Sequence, residues 1–258
     1  MKKILIPLPT NDFDPTEAGV SFKILKESGH QICFATPNGL VSKPDMLMYT
    51  GIKLGFLKSI LMADKNGFMA CKEMMDSPEF QNPISYNQID VTKFDGILLP
   101  GGHDKGMREY LESKELQSSV ALFFELNKKI AAICHGVVLL ARSISKNNSK
   151  SVIADYNVTS LLKKQELLAY HLTKLYLNDY YLTYNVTVED EVMNVLNSKK
   201  QFHHGPNGKS YLGVALYKRD SLKNLENGFV VKDRNLITAR WPGDVHKFAT
   251  SFVELLKT

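Results

Sequence analysis

Lys129-Ile130-Ala131-Ala132-Ile133-Cys134-His135-Gly136 is the stretch whose reading decides the fold. Four small or β-branched apolar residues in a row carry no alternation, as in a strand buried on both faces of a parallel sheet. The strand runs into a Cys, and a helix over Val137–Ser143 follows once Gly136 has let the chain pack closely on its neighbour. A thiol on so tight a strand-to-helix turn projects above the carboxyl edge of the sheet, where a helix N-terminus lowers its pKa. A buried structural cysteine is the alternative that this segment leaves open.

Working outward, the same grammar repeats. Lys3–Leu8 reads as a strand, Thr16–Ser28 as a helix with Pro15 before it and Gly29 after it, and Gln31–Ala35 as a second strand closed by Pro37-Asn38-Gly39. Asp95–Leu99 is a strand ending in Pro100-Gly101-Gly102, and Ser113–Asn127 a helix. Lys163–Tyr176 and Val188–Leu196 have helical spacing, His203–Gly208 is a loop, and Gly228–Val231 with Leu236–Ala239 form a hairpin. Asp244–Leu256 closes the chain as an amphipathic helix. These elements predict a flavodoxin-like α/β three-layer sandwich with a mostly parallel sheet and its site at the carboxyl ends of the strands. One domain over 1–258 is expected, with insertions at about 41–92 and 165–208.

Composition narrows the function classes. The 258 residues carry a net charge of +5 from 32 basic and 27 acidic side chains. No basic block stands out, so nucleic-acid binding is not expected. Ile4–Leu8 is too short for a signal core and no window suits a membrane span, so no membrane role is expected. Three scattered cysteines, Cys33, Cys71 and Cys134, fit no disulfide framework and imply a reducing cytoplasm. No phosphate loop or dinucleotide fingerprint appears, so no cofactor is expected. His203-His204 lacks a carboxylate or Cys at ligand spacing, so no metal is expected, and His246 reads as structural. Trp241, before Pro242-Gly243, lines a pocket or caps the core.

Two further features bear on chemistry. Leu98-Leu99-Pro100-Gly101-Gly102-His103 ends a strand in a turn that lets backbone approach a ligand, so the amides of Gly102 and His135 could form an oxyanion hole. Glu17 falls in the first turn of the first helix, where a carboxylate complements the dipole without needing a function.

Glu17, the LLPGGH turn (98–103) and AAICHG (131–136) together resemble the ThiJ/PfpI superfamily of class I glutamine-amidotransferase-like proteins, over nearly the whole chain. The long segment after Asn38-Gly39 and the GGH turn are most similar to its glutathione-independent glyoxalase and heat-shock chaperone clade. The resemblance implies a homodimeric, cofactor-independent lyase or hydrolase acting on a small reactive carbonyl, with methylglyoxal to lactate as the type reaction. It implies Cys134 as nucleophile, Glu17 as the acid/base bonded to it, and His135 as the triad histidine. Glu166, some thirty residues beyond the Cys, takes the place of the carboxylate that orients His135. Departures from the clade fall at Asp104-Lys105, at Val137 and at Ala239–Asp244. Two other readings stay open: a stress-response chaperone or redox sensor built on an oxidisable Cys134, and an amidase or peptidase.

Overall fold

The computed structural model describes residues 1–206, 209–211 and 214–258. Its central sheet has seven strands: β1 (Lys3–Pro7), β2 (Gln31–Thr36), β3 (Ile84–Ser85), β4 (Gly96–Leu99), β5 (Lys129–Ile133), β6 (Val230–Asp233) and β7 (Leu236–Ala239). Their order is β6-β7-β5-β4-β1-β2-β3, and every pair is parallel except the β6–β7 hairpin. The chain first winds from β1 toward β2 and β3, then returns to place β4 on the other side of β1. The crevice at the carboxyl ends of β1 and β4 is therefore the topological switch point, where this architecture binds ligands.

Seven longer helices accompany the sheet: α1 (Pro15–Glu27), α2 (Lys65–Met75), α3 (Lys114–Glu125), α4 (Gly136–Arg142), α5 (Lys163–Leu177), α6 (Val188–Val195) and α7 (Val245–Leu255). On one side of the sheet α1 packs against α2 and α7; on the other, α4 packs against α3 and α6. Each begin signal has a physical counterpart. Asp14 caps α1 through the amides of Thr16 and Glu17, with Pro15 in the first turn, and Ser113 caps α3. Gly29 leaves α1 with φ +79°, a conformation that costs a glycine nothing.

Residues 41–92 contribute to the layers as well as lying beside them. Ile84–Ser85 is the edge strand of the sheet, paired with Ala35 and Thr36 of β2. The helix α2 lies so close to α1 that a Cβ on Gly19 would come within 2.5 Å of the Cys71 backbone nitrogen. Short alternation and scattered glycines hide both elements from pattern reading, because β3 is only two residues long and the α2 contact is made by backbone. Of the His203–Gly208 loop, residues 207 and 208 lie outside the described residues. Among the described residues no helix is long and apolar enough to cross a membrane.

The α1–α2 contact sets a test of the fold. Gly19→Ala forces two backbones apart in a packed layer, so its stability should fall by about 1–3 kcal/mol, the usual cost of overpacking. A lowered urea midpoint with unchanged slope would show it; an unchanged midpoint would contradict the close approach.

Candidate active site

The strand β5 delivers Cys134 to the switch point in a left-handed backbone conformation, φ 57°. A non-glycine residue held there costs of order 1–3 kcal/mol and persists only when its surroundings fix it. The amide of Cys134 donates to the Ala239 carbonyl of β7 at 3.1 Å, and its carbonyl accepts from Val137 at 3.2 Å. The chain can turn at once into α4 because residue 136 is glycine: a Cβ there would lie 2.2 Å from the Leu99 carbonyl oxygen of β4.

Three elements meet at Gly101, which follows β4. A Cβ at that position would touch the His135 amide nitrogen (2.8 Å), Cys134 Cβ (2.9 Å) and Glu17 Oε2 (2.9 Å) at once. The structure thus brings Glu17, Cys134 and His135 around one backbone turn. Glu17 is fully buried, Oε2 accepts the Gly101 amide at 2.7 Å, and Oε1 has no hydrogen-bond partner among the described residues. A dipole-complementing carboxylate would sit in water, so burial rejects that simpler account. Burial, reinforced by the neighbouring Asp14 carboxylate, holds the Glu17 pKa well above the ordinary value, and the Gly101 amide and the Cys134 thiol offset this only in part. Burial thus favours the protonated form of Glu17.

His135 is completely buried. Its Nδ1 lies 3.5 Å from the Cys134 sulfur and its Nε2 lies 3.1 Å from Thr183 Oγ1. The Thr183 hydroxyl donates its one proton to the His103 carbonyl, so its oxygen accepts from His135 Nε2–H and leaves Nδ1 bare toward the thiol. Burial, with His103 and Arg142 nearby, pushes the His135 pKa well down and keeps the ring neutral. Thr183 is itself held, since the Arg108 guanidinium donates twice to its carbonyl at 3.0 and 2.6 Å.

Two expectations are corrected here. Glu166 does not orient His135, because both ring nitrogens of His135 are already engaged by Cys134 and Thr183. The Glu166 carboxylate instead accepts the Val188 amide at 3.0 Å, tying α5 to the start of α6, and burial pushes its pKa up to about 7. The thiol of Cys134 is not activated by its position. Burial raises its pKa well above that of a free thiol, negative charge on neighbouring acidic groups such as Asp14 adds to the rise, and the His135 amide offsets only part. The partial charge at the N-terminus of α4 does not outweigh that desolvation.

The group opens into a cavity of ≈ 530 Å³ whose lining includes Cys134, Asp14, His103, Tyr181, Glu166, Arg219 and Trp241, with apolar walls at Leu57, Leu61, Leu168 and Leu172. His103 is half-buried; its buried Nε2 has no hydrogen-bond partner among the described residues, and its ring packs on Tyr181 at 4.8 Å. Sequence reading missed Asp14, Thr183 and Arg219 as site residues. Asp14-Pro15 carries a legible cap signal, whereas nothing local in Asp179–Tyr184 or Tyr217–Asp220 marks those segments as neighbours of Cys134. Trp241 lines the cavity. His246 bridges Asp220 (2.8 Å) and Asn66 (2.7 Å) inside the fold. His203 and His204 pair with Asn157 and Glu189, and among the described residues no three ligand-type side chains converge on a metal position.

An α/β sheet with a left-handed cysteine turn at its switch point, flanked by a buried carboxyl and a histidine, defines a class of proteins built around one thiol. The chain belongs to the ThiJ/PfpI-like family, whose pattern matches residues 8–206. It is 22% identical to the deglycase PfpI of Pyrococcus furiosus over 255 residues, 99% of each chain. An uncharacterised Schizosaccharomyces pombe protein is 25% identical over 157 residues, 58% of this chain and 57% of that one. The chain thus spans little more than half of that relative. The glyoxalase III structure from Candida albicans superposes with a TM-score of 0.66 at 15% identity, covering 98% of this chain and 97% of that one, a likeness of fold.

Two measurements follow from these environments. The rate of alkylation at Cys134 by iodoacetamide should inflect above the ordinary thiol value of about 8.5, and an inflection below it would contradict the burial argument. Glu166 has a folded-state pKa raised to about 7, so its folded form holds a proton that the unfolded chain has released. Wild-type stability should accordingly fall as pH rises from the unfolded carboxyl value through about 7. Glu166→Gln keeps an acceptor for Val188 and removes that loss, gaining up to ~3 kcal/mol on wild type between pH 5 and pH 8. Parallel denaturation curves at the two pH values measure it.

Proposed function

We propose that the protein is a cysteine-dependent, cofactor-independent enzyme of the glyoxalase III type, acting on a reactive carbonyl compound with Cys134 as nucleophile. The observation that carries this reading is one strained thiol held beside a fully buried carboxyl around the Gly101 turn, with an imidazole nitrogen 3.5 Å from its sulfur. Deglycase and glyoxalase relatives support the same class of chemistry.

With methylglyoxal as the type substrate, the thiol proton passes to His135 Nδ1 as sulfur bonds to the aldehyde carbon. A raised thiol pKa suits this: the thiol stays protonated and guarded until a substrate is present, and the proton leaves only as the carbon–sulfur bond forms. The amides of Gly102 and His135 receive the developing oxyanion. His135 returns its proton to the new alkoxide, giving the hemithioacetal. Glu17, whose Oε1 has no partner among the described residues, then gives its proton to the C2 carbonyl oxygen and takes the hydrogen of C1. In a second exchange it gives that proton to C2 and takes the C1 hydroxyl proton, so a thioester forms and Glu17 ends protonated as it began. Water then releases lactate and restores the thiol, so substrate plus water equals product. Thr183 is a positioning residue: it holds Nε2 and with it the tautomer that leaves Nδ1 facing sulfur.

A redox sensor needs an exposed thiolate that oxidants reach readily. Cys134 is 2% exposed and its thiol is pushed up, which favours catalysis over sensing. The apolar roof over the cavity likewise favours small molecules over peptides.

Purified protein should form lactate from methylglyoxal, and Cys134→Ala should abolish this. Thr183→Val should lower kcat/KM by roughly 10–100-fold, the scale on which orientation of a catalytic group acts. It should also shift the pH profile, since the freed ring can take either tautomer. Glu166→Gln should change turnover by less than about threefold, because it touches neither ring nitrogen of His135. Turnover that survives Cys134→Ala would overturn the reading.

A further inference from the structure

The cavity is much larger than methylglyoxal needs. A space of ≈ 530 Å³ falls in the range that encloses ligands several times that size. Away from the cysteine its lining carries Tyr217, Arg219 and Trp241. These side chains form one cluster: the Arg219 guanidinium lies 5.3 Å from the Trp241 ring and the Tyr217 and Trp241 rings are 6.2 Å apart. Each has a buried polar atom with no hydrogen-bond partner among the described residues, namely Tyr217 Oη, Arg219 Nη1 and Trp241 Nε1. An indole N–H and a guanidinium N–H can only donate, and a buried donor left unpaired costs about 1–3 kcal/mol.

The cluster is held from behind. Asp220, next to Arg219, accepts from the His246 ring (2.8 Å) and the Lys247 amide (2.7 Å), and donates its own amide to Gly243 (2.7 Å). On the other side of Trp241, Arg240 and Asp244 are joined by two charge-assisted bonds of 2.8 and 2.9 Å, both side chains buried. The Asp14 carboxylate lines the same cavity: its Oδ1 caps the amides of Thr16 and Glu17 at 2.8 and 2.9 Å, and its charge acts on Arg219 with no hydrogen bond between the two side chains among the described residues. Arg219 Nη2 makes one long bond of 3.4 Å to the Met62 carbonyl. A permanently charged fork with an unpaired nitrogen, flanked by two further donors on a fixed frame, matches a planar or tetrahedral oxyanion.

We propose that Arg219, Trp241 and Tyr217 form a subsite for an oxyanion at the far end of the substrate, whose carbonyl meets Cys134. This rests on the carbonyl reading above and narrows it: the preferred substrates are 2-oxoaldehydes that end in a carboxylate or a phosphate, with the intervening carbons against Leu57, Leu61 and Leu168. Methylglyoxal is then a minimal substrate that leaves the subsite unused.

The test compares 4,5-dioxopentanoate, a 2-oxoaldehyde ending in a carboxylate, with its methyl ester. Wild type should prefer the acid by roughly tenfold or more in kcat/KM, expressed in KM. Arg219→Met should bring the ratio close to one, and Arg219→Lys should retain part of it. The ratio is internal to each variant, so a loss of folded protein does not mimic it. Equal use of acid and ester by wild type, or a preference that persists in Arg219→Met, would overturn the subsite. Calorimetric binding of the unreactive pair pentanoate and pentanamide separates the two claims. Arg219-dependent binding of pentanoate without turnover of any carbonyl would sink the carbonyl reading and keep the subsite. Turnover with no difference between pentanoate and pentanamide would do the reverse. Inorganic phosphate, run as a third ligand, assigns the oxyanion as phosphate if it binds more tightly than pentanoate and as carboxylate if it does not.

Discussion

Everything at the switch point depends on the contact between Gly136 and the Leu99 carbonyl. A backbone carbonyl of β4 occupies the space where any other residue would place its Cβ, 2.2 Å away. That contact lets β5 end and α4 begin without an intervening loop, which in turn holds Cys134 at φ 57°. The strain of the turn is borne by the β4–β5–β7 ladder, whose registers run from Gly96 to Ala239 without a break. A rigid sheet edge makes a costly backbone conformation permanent.

The parts of this arrangement that were legible in the sequence are those encoded locally. The apolar run 129–133, the glycine after the Cys and the capped helix at Pro15 each announce themselves within a few residues. Their positions in the structure agree with the reading to within a residue or two. The hairpin around Asp233-Arg234-Asn235 was legible for the same reason, because its turn residues and paired apolar strands lie side by side. The edge strand Ile84–Ser85 was not, since two residues carry no period and its pairing with Ala35 and Thr36 is fixed by the sheet.

The histidine's partner marks the limit more sharply. Spacing pointed to Glu166, a charged residue in a docking helix, and overlooked Thr183, which has an ordinary side chain in an irregular stretch. Nothing within the chain near Thr183 says that it will lie beside His135; that follows from Arg108 gripping its carbonyl and from the packing of Tyr180 and Tyr181 on His103. The expected thiol activation failed for a related reason. A helix N-terminus can be read from sequence, whereas the depth at which it is buried cannot, and depth decides the sign.

The cavity joins surfaces of unrelated origin. Its floor is made by turns that follow β1, β4 and β5, whereas its apolar walls come from Met48, Leu57 and Leu61 and from α5, segments that share no ladder with the floor. A change of size at Leu57, Leu61 or Leu168 reshapes what enters without moving a hydrogen bond around Cys134. Such a division gives the fold two nearly independent drawing boards: one set of positions free to wander under selection for new ligands, and another whose close packing fixes the turn at Cys134.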